Sequence, residues 1–187
     1  MDKVNIEQRL FTMIPLIKEK SVNVRIPVDN FCFMPVDDYK TGSKMPVFTK
    51  ENSVLFGRED FWGGKVDTHA WFYKKIAIPE RKIGTRYELS IKTNISEKEW
   101  DASNPQFIVY FDGYPVQGAD LNHTNVVLPD KNEVEVYVYA YTGTNLNDPA
   151  PVKFYADIIG IDETAERLYY DLKVPYDVLG FTDENTK

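Results

Sequence analysis

The sequence predicts a mainly β protein: an antiparallel β-sandwich with short helices at its N- and C-terminal ends. Three observations carry this. Apolar and polar residues alternate with the two-residue period of a strand in several separate segments. These segments recur at roughly 8–12-residue spacing with turn residues between them, as in a sandwich. Helical patterns stand only at the two ends and do not alternate with strands, so a doubly wound sheet is not expected.

At the N-terminal end, Ile6, Leu10, Met13, Ile14 and Ile17 recur at three- and four-residue steps, the period of a helix. Pro15 interrupts them, so a helix or two short turns is expected over residues 6–20 rather than one long rod. Val22 to Ile26 alternates as a half-buried strand. Residues 29–68 are punctuated by Gly42, Gly57, Gly63, Gly64, Pro35 and Pro46 and read as loops, some of whose apolar runs could be short strands. Trp71 to Ile78 is a strand ending at Pro79, and Ile83-Gly84-Thr85 is a turn. Tyr87, Leu89 and Ile91 then face one way while Glu88, Ser90 and Lys92 face the other.

Phe107 to Phe111 reads as a buried strand. Asp112-Gly113 after it suits a two-residue hairpin, whose central residues both take positive φ, and Tyr114 to Gln117 returns. Asn125 to Leu128 is another short strand. Val134, Val136, Val138 and Ala140 alternate with Glu135, Tyr137, Tyr139 and Tyr141. Val152 to Ile161 is the last strand. Leu168, Leu172, Tyr176 and Leu179 recur at helical steps, with Pro175 expected to bend or divide the helix. The expected division is therefore a helical segment over 1–20, the sandwich over 21–162, and a helix with linker over 163–187.

Composition excludes several classes. The 187 residues hold 22 Lys+Arg against 29 Asp+Glu, a net charge of −7, so no nucleic-acid partner is expected, since a phosphate backbone needs a basic face. No stretch nears ~20 apolar residues, so no membrane span is expected. Met1-Asp2-Lys3-Val4-Asn5 begins no long apolar run, which argues against a secretory signal and for a cytoplasmic location. The two Asn-x-Ser/Thr matches, at Asn94 and Asn122, then read as chance. The single Cys32 excludes an internal disulfide and a Cys-rich zinc cage; between Phe31 and Phe33 it reads as a small buried apolar residue.

Catalytic motifs are scarce. His69 and His123 are the only histidines, no His-x-x-x-His or Glu-x-x-His pair appears, and no metal site is expected. Gly-x-Ser-x-Gly and a phosphate-binding glycine loop are absent. Asp101, Asp112 and Asp120 lie near strand ends, where an acid/base pair could form. Turn roles account for them more simply: a cap at Asp101, the hairpin at Asp112 and an Asx-turn at Asp120. Trp62 and Trp100 fall in loop regions and are candidates for stacking on a sugar face, against a core or interface role; Trp71, opening a strand, reads as core. Tyr137, Tyr139 and Tyr141 line one strand face, to be covered either by another part of a larger protein or by cross-strand neighbours in this domain.

Trp100-Asp101-Ala102-Ser103-Asn104-Pro105-Gln106-Phe107, Tyr110-Phe111-Asp112-Gly113 and Gln117-Gly118-Ala119-Asp120-Leu121-Asn122-His123 together form a motif run that resembles the N-terminal domain of the α-mannosidases of glycoside hydrolase family 38, in the branch that includes the yeast vacuolar enzyme. Trp62-Gly63-Gly64, His69-Ala70-Trp71-Phe72, Ile78-Pro79-Glu80 and Glu166 to Val174 fit as well. The likeness spans about residues 55 to 180. Ala119 departs from it, where relatives tend to carry a bulkier apolar residue.

The resemblance implies a galactose-binding-like jelly roll that belongs to a zinc-dependent, retaining α-mannosidase removing terminal α-linked mannose from glycans. It places the zinc and the nucleophile in a downstream catalytic domain. Asp67-Thr68-His69-Ala70-Trp71 looks superficially like the family's metal-binding motif but lacks its leading His, so no catalytic or metal residue is assigned in this chain. The expected partners are the catalytic and C-terminal domains of the same parent chain and the parent's glycan substrate, in an enzyme that could be homo-oligomeric.

Three functions follow. The first is a non-catalytic domain that packs against the barrel, stabilises the enzyme and shapes one wall of the substrate approach or the oligomer contact, meeting the barrel through Asn104, Gln106, Gln117, Asp120, Asn122 and His123. The second is a free-standing carbohydrate-binding module using Trp62, Trp100, Tyr114 or His123. The third is an enzyme in its own right, built on an Asp pair.

Overall fold

The computed structural model describes residues 3–37, 45–94, 105–143 and 150–179. Along the chain run α1 (Lys3–Ser21), β1 (Val22–Val28), β2 (Phe31–Val36), β3 (Val54–Phe56), β4 (Phe61–Gly63), β5 (His69–Ala77), β6 (Thr85–Lys92), β7 (Gln106–Phe111), β8 (Tyr114–Ala119), β9 (Asn125–Val127), β10 (Glu133–Tyr141), β11 (Pro151–Lys153), β12 (Tyr155–Asp162) and α2 (Glu163–Leu179). The fold is mainly β and antiparallel, a β-sandwich with one helix before it and one after it. A six-stranded sheet has the order β3-β2-β5-β10-β7-β8, a four-stranded sheet the order β1-β12-β6-β9, and β11 pairs with β4 as a two-stranded ribbon.

The chain forms two compact units. Residues 26–80 and 88–158 hold the sandwich core. Alternation along β10 sends Val134, Val136, Val138 and Ala140 inward, all at most 1% exposed, and Phe72, Val109, Leu89 and Ile91 are buried with them. Aromatic rings fill the middle. Phe72 stacks on Phe154 with centroids 4.0 Å apart, Phe31 meets Phe154 edge-on at 5.1 Å, and Trp62 meets Phe72 edge-on at 5.7 Å. Arg58 ties the loop before β4 to β12: its guanidinium donates to the Ala156 carbonyl at 2.7 Å and pairs with Asp157 and Asp29.

The β7–β8 hairpin turns at Asp112 (φ 51°) and Gly113 (φ 85°), the two positive-φ residues that a type I′ turn needs. A third strand clamps the turn. Asp112 Oδ1 accepts the Glu135 amide at 3.0 Å, and Oδ2 accepts Lys131 Nζ at 2.7 Å. The Lys131 hydrogen bond, with the Glu135 amide, holds the Asp112 carboxyl below its ordinary pKa.

The other unit gathers residues 1–25, 81–87 and 159–187, of which the described part includes α1 and α2. Asp162 caps α2, its Oδ1 accepting the Thr164 and Ala165 amides at 2.9 and 3.0 Å, while Glu163 and Glu166 sit in the first turn, where the helix dipole favours negative charge. Arg86 holds the helix with two bonds to Glu166, at 2.8 and 2.9 Å.

Several expectations are corrected here. Both helices run unbroken through their prolines. Pro15 and Pro175 lie on exposed faces, where water can satisfy the carbonyls of Phe11 and Asp171 that lose an amide partner. On α2, Leu168 is 48% exposed and lies off the half-buried stripe that includes Leu172, Tyr176 and Leu179. Within residues 29–68 the apolar runs do form short strands, as the sequence allows: β2, paired on both sides, then β3 and β4. The run from Val152 to Ile161 breaks at Phe154, which leaves the ladder to enter the core. Alternation in β6 is real, yet Glu88 and Ser90 are also buried, at 7% and 2% exposure, because that face is covered too. Cys32 is half-buried, not buried: it points away from the side of β2 that buries Phe31.

Candidate functional site

Register decides what the tyrosine row meets. Tyr137 stands opposite Tyr73 and Tyr110, Tyr139 opposite Trp71 and Ile108, and Tyr141 opposite His69 and Gln106. Side chains directly opposed in antiparallel strands share a face and touch. The row therefore packs across strands within the domain: Tyr73–Tyr137 at 4.7 Å, Trp71–Tyr139 at 5.2 Å and Trp71–Tyr110 at 5.3 Å. Phe48 stacks over Tyr73 at 5.1 Å. The Tyr73 and Tyr137 hydroxyls donate to Glu135 at 3.1 and 3.5 Å. Burial, then the Glu135 carboxylate, pushes the Tyr73 pKa up to about 12 and raises that of Tyr137.

At one end of this face the sheet opens into a cleft of about 790 Å³. Asp67, His69, Gln106, Asp120, Tyr139 and Tyr141 supply its polar groups, and Phe107, Ile108, Gly118 and Ala119 the rest of its lining. His69 is 4% exposed and sits at the centre. Its Nε2 lies 3.1 Å from Asp67 Oδ1 and its Nδ1 2.5 Å from the Tyr139 hydroxyl. Its ring stacks on Tyr141 at 4.9 Å and Tyr139 at 5.8 Å. Asp67 reaches this position from a turn with φ 55°, a conformation that Asp and Asn tolerate better than other side chains. The turn is tied to the end of β10 by the Asp67 amide on the Gly143 carbonyl, 3.1 Å, and the Thr68 amide on Thr142 Oγ1, 2.9 Å.

Across the cleft, Asp120 forms an Asx-turn. Its Oδ1 accepts the Asn122 and His123 amides, both at 2.8 Å, and lies 3.0 Å from His123 Nδ1. Partial burial raises its pKa, but the two amides and the His123 ring outweigh this and leave it below the ordinary carboxylate value. Asp120 is thus an ionised acceptor and is not tuned as a general acid, which needs a raised pKa.

Of the candidates expected from the sequence, the structure brings together Gln106 and Asp120. Asn122 and His123 support Asp120 from its own loop. The Gln117 amide donates to the Asn125 carbonyl at 2.9 Å, bridging to β9. Tyr114, 75% exposed, stands at the hairpin rather than in the cleft. Trp62 is a correction: it is 4% exposed on β4, packed against Phe72 and Phe107 in the core, with no ring face to offer a sugar. Trp100, Asn104 and Asp101 lie outside the described residues. Sequence reasoning does not single out Asp67, His69, Tyr139 and Tyr141 as a site. The alternation of β10 already puts both tyrosines on one face, but nothing local places His69 between them.

Among the described residues no three His, Cys, Asp or Glu side chains gather closely enough to hold a metal. The His69–Asp67 pair alone does not fit the four-ligand habit of zinc. No helix among the described residues is long and apolar enough to cross a membrane.

No family model matches the chain, and no curated protein does. Among solved structures it is similar to a β-glucuronidase of an uncultured Clostridium sp., with 14% identity and a TM-score of 0.44. That similarity covers 72% of this chain and only 29% of the β-glucuronidase.

Proposed function

We propose that this chain is a non-catalytic, sugar-binding β-sandwich domain that works beside a glycoside hydrolase, with an α-mannosidase of the family 38 type as its parent. The observation that carries the sugar-binding part is the cleft, where the Tyr139 and Tyr141 rings meet the Gln106 amide and the Asp67 and Asp120 carboxylates. A pyranose has an apolar C–H face and a rim of hydroxyls. Aromatic rings match the first, and planar amides and carboxylates match the second. The parentage rests on the motif run from Trp100 to His123. In this reading the catalytic and C-terminal domains of the parent are its partners, and the parent's zinc lies in the catalytic domain.

The test is titration of the ¹⁵N-labelled chain with mannose and mannobiose. Saturable shifts in the millimolar range or below are expected at Gln106, Asp120, Tyr139 and Tyr141, and their loss in Tyr141→Ala. Silence at high sugar sinks the binding role. An aryl α-mannoside assay should show no turnover, and metal-dependent hydrolysis would overturn the non-catalytic assignment. Parentage is tested by reading the gene past Lys187: an immediate stop codon removes the α-mannosidase.

A further inference from the structure

We infer that the cleft selects sugars by charge, taking amine-bearing pyranosides most readily, neutral ones next, and turning away uronate- and sulfate-bearing ones. This deepens the glycan-binding reading above and rests on it.

Asp67 and Asp120 are carboxylates with 61% and 41% of their side chains exposed, so both can meet a ligand, and ionised carboxylates only accept. The His69 ring stands between them and the tyrosines, its Nε2 3.1 Å from Asp67 Oδ1 and its Nδ1 2.5 Å from the Tyr139 hydroxyl. The lining therefore presents carboxylate acceptors at Asp67 and Asp120, with the Gln106 amide beside them as a donor.

No Lys or Arg lines the cleft among the described residues. Two negative charges beside low-dielectric aromatic walls focus a field that attracts cations and repels anions. The tyrosine faces add to this, since ring quadrupoles also attract cations. A sugar hydroxyl can donate to these acceptors. An ammonium donates three times and adds attraction. A uronate carboxylate brings acceptors to a wall of acceptors.

The experiment uses the full chain at neutral pH, titrated with methyl α-D-mannoside, D-glucosamine and D-glucuronate and read by ¹⁵N shifts. Taking a factor of roughly three for each partly exposed carboxylate, glucosamine should bind roughly tenfold more tightly than the mannoside. Glucuronate should give no saturable shift. Added salt should narrow the gap. Asp67→Asn with Asp120→Asn keeps an acceptor oxygen at both sites and tolerates the positive φ at residue 67, so the fold should survive. That double variant should bring glucosamine and mannoside to similar affinity and admit glucuronate. Glucuronate binding to the unaltered chain as tightly as the mannoside overturns charge selection and leaves glycan binding standing. A preference unchanged in the double variant overturns it as well. Silence with all three sugars overturns both readings.

Discussion

Tyr139 stands directly across the sheet from Trp71, yet its hydroxyl reaches the diagonal neighbour, His69, at 2.5 Å from Nδ1. One side chain thus serves two purposes. Its ring packs on the indole, and its oxygen satisfies a ring nitrogen of a histidine that is almost wholly buried.

Tyr139→Phe keeps the ring and removes the partner. The His69 Nδ1 is left in a site where the residue is 4% exposed, and a buried polar group without its hydrogen bond costs about 1–3 kcal/mol. Urea unfolding should show a lower midpoint with an unchanged slope. A change within about 0.5 kcal/mol, the range of neutral surface substitutions, would mean that the hydroxyl holds nothing.

Phe154→Ala should cost about 3–5 kcal/mol, the range for emptying a buried phenylalanine site. Its ring is 1% exposed and stacks on Phe72 at 4.0 Å. Tyr114→Ala, at a position 75% exposed, should stay within about 0.5 kcal/mol. Thermal denaturation of the two variants side by side checks the contrast.

Asp112→Asn tests the clamp on the hairpin through pH. The Lys131 hydrogen bond and the Glu135 amide lower the folded-state pKa of Asp112 from its ordinary 3.8. Its contribution is therefore present above 3.8 and fades as pH falls through the lower folded value. Unfolding free energies measured above and below 3.8 should differ less in the variant than in the unaltered chain. Asp120, lowered likewise, acts over the same acidic range and should leave some of the slope in place. An equal acid loss in both chains would show that Asp112 contributes nothing.

Gly160→Ala should destabilise the meeting of β1 and β12. A Cβ there would lie 2.9 Å from Asn23 Oδ1 and 2.9 Å from Val24 Cβ, and the second neighbour cannot swing aside. Overpacking of this kind costs about 1–3 kcal/mol. Hydrogen exchange should quicken first at the β1 and β12 amides; unaltered protection would refute the close approach.

Features governed by neighbours along the chain are legible in the amino-acid sequence itself. The Asp112-Gly113 turn needs two positive φ values, and few residues supply them cheaply. The alternation of β10 is a period-two pattern that only a strand uses. The Asx-turn at Asp120 is a bond between a side chain and its own next residues. Both terminal helices show in their apolar spacing, although the penalty expected from Pro15 and Pro175 depends on whether the freed carbonyl can reach water.

The cleft is not legible in this way, and the reason is physical. Asp67, His69, Gln106, Asp120, Tyr139 and Tyr141 come from three separate stretches of chain, and they meet because β10 pairs β5 on one side and β7 on the other in one particular register. A shift of one residue would turn each side chain to the opposite face. That choice follows from the burial of Val134, Val136, Val138 and Ala140 against distant strands. Local order along the chain determined which segments are strands, turns and helices. Packing of the core alone decided that Trp62 goes inside, that Glu88 is covered, and that a histidine stands between two tyrosines at the edge of an acidic cleft.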